Sequence, residues 1–239
     1  TGGGYVQQIV SAEITEFVQR YRGSAALPVD LALRARFNPT LDKSWFGGLN
    51  QIINQITMLS IILTGAALIR EREHGTIEHL LVMPVTPFEI MLAKVWSMGL
   101  VVLVAAALSL NIVVRGWLGV PVIGSLWLFF SAAVLMLFAT TSLGIFLATV
   151  ARNMPQFGML MVMTIVPLQM LSGGSTPYES MPQVVQDVMQ VAPTTHFVKL
   201  GSAILFRGAG FDVVWPQFVA LAVIGAVLFA FSLARFRKT

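Results

Sequence analysis

Five runs of this chain carry no ionisable side chain: Phe46 to Ile69, Val95 to Val114, Ile123 to Val150, Phe157 to Leu171 and Trp215 to Ala234. A helix needs roughly 20 residues to cross about 30 Å of hydrocarbon, and every run but Phe157 to Leu171 reaches that length. The short one is expected to start nearer Asn153. Only 11% of residues are charged and 56% are hydrophobic, against roughly a quarter charged in soluble domains, which excludes a water-soluble globule. The net charge of +4 does not point to nucleic acid, because the basic residues stand singly or in small groups at the ends of the apolar runs and in the polar N-terminal stretch. With no cysteine in the chain, disulfides and thiolate metal sites are also excluded. The expected fold is an all-α polytopic membrane protein. It has five visible transmembrane helices, at about 46–69, 95–114, 123–150, 155–171 and 215–234, within a transmembrane domain over 45–239.

The short connections set the expected orientation. Arg70, Arg72, Lys94, Arg152, Arg235, Arg237 and Lys238 fall on one side, against Arg115, Lys199 and Arg207 on the other, so the first side is read as cytoplasmic. Five crossings then put the C-terminus in the cytoplasm and residues 1–44 outside. A start outside implies a further membrane helix ahead of Thr1, and the opening Thr-Gly-Gly-Gly is read as belonging to a longer chain. Residues 1–44 read as the C-terminal part of an extracytoplasmic α/β domain. Tyr5, Ile9, Ile14, Phe17 and Tyr21 recur at roughly helical spacing, and Leu31, Leu33, Ala35 and Phe37 alternate with Ala32, Arg34 and Arg36 as in a half-buried strand that Asn38-Pro39 ends.

All the charge between the first two runs is gathered in the connector Arg70 to Lys94, where two helices are expected. The first covers about 70–83, resting Ile69, Ile77, Leu80 and Leu81 on the membrane surface and turning Glu71, Arg72, Glu73 and Glu78 outward. Pro84-Val85-Thr86-Pro87 breaks it. The second begins at a capping box, with Thr86 as N-cap, Pro87 at the first helical position and Glu89 three residues after the cap. The bland alternative is a solvated loop whose charges only set topology.

The run Glu71-Arg72-Glu73-His74-Gly75-Thr76-Ile77-Glu78, with Leu80-Leu81, Pro84, Pro87, Glu89 and Lys94 after it, resembles the signature of ABC-2 type transporter permeases. Phe37-Asn38-Pro39 is similar to the junction in drug-exporter-like members, which carry an external domain between their first two membrane helices. Pro167, Ser172-Gly173-Gly174, Pro177, Pro182, Ala192-Pro193 and His196-Phe197 resemble the region ahead of the family's last helix. The resemblance implies that the connector is a coupling helix docking on an ABC ATPase subunit, with Glu71, Arg72, Glu73, Gly75, Thr76 and Glu78 as coupling residues. It also implies a second permease subunit, identical or not, leaving a periplasmic adaptor open. None of Lys43, Lys94, Lys199 and Lys238 stands in a G-x-x-x-x-G-K-[ST] loop, so no cofactor is expected on this chain and ATP-Mg is assigned to the partner. The implied localisation is the bacterial cytoplasmic (inner) membrane, among lipid.

Ser172 to Asp212 is too long and too apolar for a simple loop. Val184, Val185, Val188 and Val191 share a helical face, and Phe197 to Phe206 is an apolar piece too short to span. A re-entrant external hairpin is expected, and the resemblance makes it a gate at Gly173, Gly174, Pro177 and Lys199. The competing reading is a surface-lying amphipathic helix. In the first run Asn50, Asn54 and Thr57 share a face beside Gln51 and Gln55, a candidate substrate pathway to which Met163 and Gln169 are added. Interhelical glue explains the same residues at least as well. No charge lies firmly within a run, consistent with an amphiphilic or apolar cargo, drug-like or lipid, rather than an ion.

Two other classes compete with an exporter permease: an intramembrane enzyme and a passive channel or scaffold subunit. His74, Glu78 and His79 match neither H-E-x-x-H nor H-x-x-E-H, no G-x-S-x-G occurs, and neither a catalytic nor a metal site is expected. A channel or scaffold leaves the connector unexplained.

Overall fold

The structure is a computed structural model describing residues 12–13, 16–17, 43–75, 86–117, 119, 122–174, 176 and 178–236. It divides into units at Thr1–Lys43 and Ser44–Thr239. In the first, residues 12–13 and 16–17 are helical; the expected strand at 31–37 lies outside the described residues. The second is an all-α polytopic bundle. Its elements are α1 (Lys43–Glu73), α2 (Pro87–Leu108) continuing as a π-helix over Ser109–Trp117, α3 (Leu126–Val150), α4 (Met154–Met170), α5 (Gln183–Met189), α6 (Pro193–Arg207) and α7 (Phe211–Phe236).

Among the described residues four helical stretches are long and apolar enough to cross a membrane: Gly47–Glu73, Pro87–Trp117, Leu126–Val150 and Phe211–Phe236, with α4 as a shorter apolar helix. At 17 residues α4 is about 25 Å long, yet contacts at its two ends show that it traverses the bundle. Its first residue meets the end of α1 through Glu73, while Gln169 near its close bonds back to Asn54 near the start of α1. Pro167 lies inside its last turn and removes one ladder bond there.

Local chemistry fixes the helix starts. Thr86 and Glu89 form the expected capping box, the Thr86 hydroxyl accepting from the Glu89 amide while the Glu89 carboxylate accepts from the Thr86 amide at 2.7 Å. Ser125 caps α3 and Asn153 caps α4, each side-chain oxygen accepting an amide of the first turn. One boundary differs from expectation. The apolar helix α1 does not end near 69; it runs on through Arg70–Glu73, and Gly75, at φ +69°, turns the chain. Arg70–Glu73 is therefore not the start of a separate surface helix, and Ile69 is fully buried in the core rather than resting on a membrane surface. The next stretch of the connector, 76–85, lies outside the described residues.

α3 is central and buried nearly all round, from Phe129 to Thr149. Against lipid the hydrophobic effect gives little reason for helices to associate, so close packing and interhelical hydrogen bonds carry the assembly. Both are present. A Cβ added at Gly144 would stand 2.8 Å from the Ile61 carbonyl oxygen, so α1 and α3 touch backbone to backbone there. The Ser60 hydroxyl donates to Thr140 at 2.7 Å, and Ser232 of α7 donates to the Ser142 carbonyl at 2.7 Å. Phe138 and Phe229 stack at 5.4 Å between centroids, tying α3 to α7.

Within the segment between α4 and α7, α6 is packed into the bundle rather than lying on its surface. α6 buries Phe197, Val198, Leu200, Ile204 and Leu205 against Phe129 and the first turns of α1. The loop ahead of α3 bonds to it through the Ile123 amide and the Leu205 carbonyl at 3.1 Å. Val184, Val188 and Val191 remain exposed on and beside α5.

The Gly144 contact generates a test. Gly144→Val is expected to lower stability by about 1–3 kcal/mol through overpacking, read as a fall in the thermal unfolding midpoint in detergent. Gly99→Ala should leave it unchanged, because its nearest neighbour would be Leu137 Cβ at 3.9 Å.

Candidate functional site

Three consecutive side chains at the end of α1 reach three different helices. Glu71 forms an ion pair with Lys94 in the second turn of α2. Arg72 Nη1 donates to the carbonyl oxygens of Ala148 at 3.3 Å and Ala151 at 2.8 Å, satisfying two acceptors that the end of α3 leaves open. Glu73 Oε1 accepts the Met154 amide at 3.1 Å, a carboxylate at the N-terminus of α4. Each charge is matched to the end it meets: the cation sits at a helix C-terminus, the anion at an N-terminus. Arg72 Nη2 is buried and has no hydrogen-bond partner among the described residues. α7 also ends here, with Phe229 edge-on to Phe88 of α2.

The expectation that Glu71, Arg72 and Glu73 turn outward is corrected for the first two, which are half-buried and engaged within the chain, whereas Glu73 bonds to the Met154 amide and is still exposed. The reason is geometric. Successive residues on a helix point about 100° apart, so three in a row at a helix end fan out towards different neighbours when α1 is surrounded. Gly75 follows at positive φ; Thr76 and Glu78 lie outside the described residues. His74 Nδ1 lies 2.8 Å from the Arg70 carbonyl oxygen, and among the described residues no three His, Cys, Asp or Glu side chains gather as a metal site.

At the opposite end the structure brings together some of the residues expected at a pathway and a gate. Asn50 Nδ2 donates to the Gly174 carbonyl at 2.7 Å, and Gln169 Nε2 to the Asn54 carbonyl at 3.4 Å. Gly173, at φ +90°, makes the turn that brings Gly174 up to α1. Lys199 Nζ lies 3.9 Å from the centre of the Tyr178 ring; Pro177 lies outside the described residues. Thr57 faces the packed core, its hydroxyl donating to the Ile53 carbonyl at 2.9 Å, and lines no described cavity. Met163 is not joined to this cluster: it is 68% exposed on an apolar face of α4 with Met159 and Met170. Gln51 and Gln55 are exposed on α1 beside Met58.

A family model described as ABC-2 type transporter matches residues 12–206. The chain belongs to the ABC-2 type transporter family. It is 63% identical to the inner membrane transport permease YhhJ of Escherichia coli K12 over the whole chain, spanning 64% of that relative. It is 30% identical to the probable multidrug ABC transporter permease YbhR of the same strain, over 98% of this chain and 63% of that one. To the probable multidrug permease YbhS it is 31% identical over 84% of the chain and 53% of the relative. The chain therefore spans just under two thirds of the first of these relatives and less of the other two.

Sequence reasoning reached this end of α1 through the family motif but not what its side chains bind. Ala148, Ala151 and Met154 offer only backbone groups, which no side-chain pattern reveals. Lys94 stood in the motif without a partner assigned. If this ABC-2 chain is held as described, Glu71→Lys and Lys94→Glu should each destabilise it, and the double exchange should restore stability with a coupling energy of about 0.5–3 kcal/mol. Arg72→Ala should cost about 1.5–3 kcal/mol, the value of hydrogen bonds to a charged group. Unfolding curves of the four variants in detergent check both.

Proposed function

We propose that this chain is the permease subunit of an ATP-driven exporter in the bacterial inner membrane, paired with a second permease and driven by separate ABC ATPase subunits that bind ATP-Mg. The supporting observation is the Glu71-Arg72-Glu73 run. It ties the end of α1 to α2, α3 and α4 beside the connector, so that a displacement of the connector is delivered to four helices at once. Arg70, Arg72, Lys94, Arg152 and Arg235 lie at that end, against Arg115, Lys199 and Arg207 at the other, which favours placing the first end, and the C-terminus, in the cytoplasm.

The cargo we infer is amphiphilic or apolar and passes between this subunit and the second permease. Exposed Gln51 and Gln55 would lack partners in lipid, so their face is read as meeting protein or a cavity, and the exposed methionines of α4 offer an adaptable apolar surface. Two relatives are described as probable multidrug permeases, which accords with a cargo of varied shape.

Two measurements test this reading. In the cysteine-free chain, Ser180→Cys is expected to react with an impermeant thiol reagent on intact cells and His74→Cys is not; the reverse pattern removes the cytoplasmic assignment. With the ATPase subunits reconstituted in vesicles, Gly75→Pro is expected to abolish ATP-driven export while leaving the protein inserted, because proline cannot adopt the positive φ of this turn. Normal export by that variant would reduce the connector to a topology-setting loop.

A different substitution addresses the cargo. Gln55→Leu should change which compounds are exported with basal ATPase activity unchanged. A uniform loss for every compound, together with a lower melting temperature, would assign the amide to interhelical glue instead.

A further inference from the structure

At the end of the bundle away from Glu71 lies a cavity of about 560 Å³, walled by the turn at Ser172–Gly174, Tyr178, α6 and the first turns of α7. Two cations, Lys199 and Arg207, line it. Among the described residues neither forms an ion pair; Lys199 is instead held over the Tyr178 ring. Gln217 of α7 also lines the cavity, and its Oε1 is buried with no donor to meet it among the described residues. Unmatched positive charge and an orphaned acceptor in one cavity call for a ligand that is an anion at one point and a donor at another. A phosphodiester supplies the charge that a lysine meets as a point and an arginine as a fork. It carries no proton of its own at neutral pH, so the donor facing Gln217 is a separate hydroxyl. Lys199 and Arg207 are about 12 Å apart along α6, so the ligand is extended rather than a single ion. Phe211, Val213 and Trp215 stand exposed on the adjoining turns of α7, an apolar and aromatic surface of the kind found at a membrane interface.

We propose that this cavity binds a phosphodiester bearing a free hydroxyl, the chemistry shared by the headgroup of a polyol-type anionic phospholipid and by soluble glycerophosphoglycerol. The site does not depend on the transport reading, since it is assembled within one chain and needs neither ATP nor a partner. It is tested with the protein in phosphatidylcholine nanodiscs, titrating phosphatidylglycerol and following retained lipid by native mass spectrometry. At about fivefold per basic side chain, Lys199→Ala combined with Arg207→Ala is expected to weaken retention about 25-fold, and Arg152→Ala, at the other end of the bundle, to leave it unchanged. Gln217→Leu should erase a preference for phosphatidylglycerol over phosphatidylethanol, a phosphodiester with no hydroxyl, while keeping anion binding. Displacement of the lipid by glycerophosphoglycerol would support the site as one for a soluble diester, and resistance to displacement would support it as a lipid site. Unaltered retention in the double variant, in protein with the wild-type melting temperature, would overturn the proposal.

Discussion

Peptide groups in hydrocarbon have no water to turn to, and this constraint governs the bundle from end to end. Within a helix every amide and carbonyl finds its partner four residues away; at the ends they do not. The chain therefore concentrates its few polar side chains where helices stop. Thr86, Ser125 and Asn153 close three helix starts, and Arg72 and Glu73 close a helix end and share a start on elements far away in sequence. Scarce charge is used as end-capping first. Whatever reaches the connector from outside acts on groups already bonded to the bundle.

The interior obeys a different rule. Without a hydrophobic drive, α1, α3 and α7 associate through absent side chains and short hydroxyls: Gly144 against the Ile61 backbone, Ser60 on Thr140, Ser232 on the Ser142 carbonyl. These hydroxyls also bond back to a carbonyl one turn earlier, as those of Thr57 and Thr64 do to Ile53 and Ser60. Polarity inside a span is thus weak evidence for a pathway. The exposed amides of Gln51 and Gln55 are stronger evidence, because among the described residues nothing covers them.

The spans were legible because period and charge act locally: every uninterrupted apolar run became a helix, and the capping box at Thr86 formed as its spacing predicts. The end of α1 was misjudged, since the charges of Arg70–Glu73 read as a departure from the bundle when Glu71, Arg72 and Glu73 bond to three of its other helices. Thr57 was placed on a pathway face by helical geometry alone, and only its complete burial shows that this part of the face is closed. Gln169 and Asn50 were chosen for polarity and are joined to α1 and to the Gly174 turn by contacts spanning more than a hundred residues. Tyr178 and Gln217 carried no signal, because a ring beneath a lysine and an orphaned amide oxygen exist only once α6 and α7 are side by side.

The fan of Glu71, Arg72 and Glu73 makes their order, and not merely their charge, part of the fold. Rewriting the three positions as Arg-Glu-Glu would preserve net charge, hydropathy and the basic excess at that end, so every compositional rule of membrane topology would be satisfied. Yet a carboxylate would then face the carbonyls of α3, and a guanidinium would face Lys94. Two chains indistinguishable to an insertion machinery would differ in whether their helices are tied at that end, which makes these three letters an address rather than a charge patch.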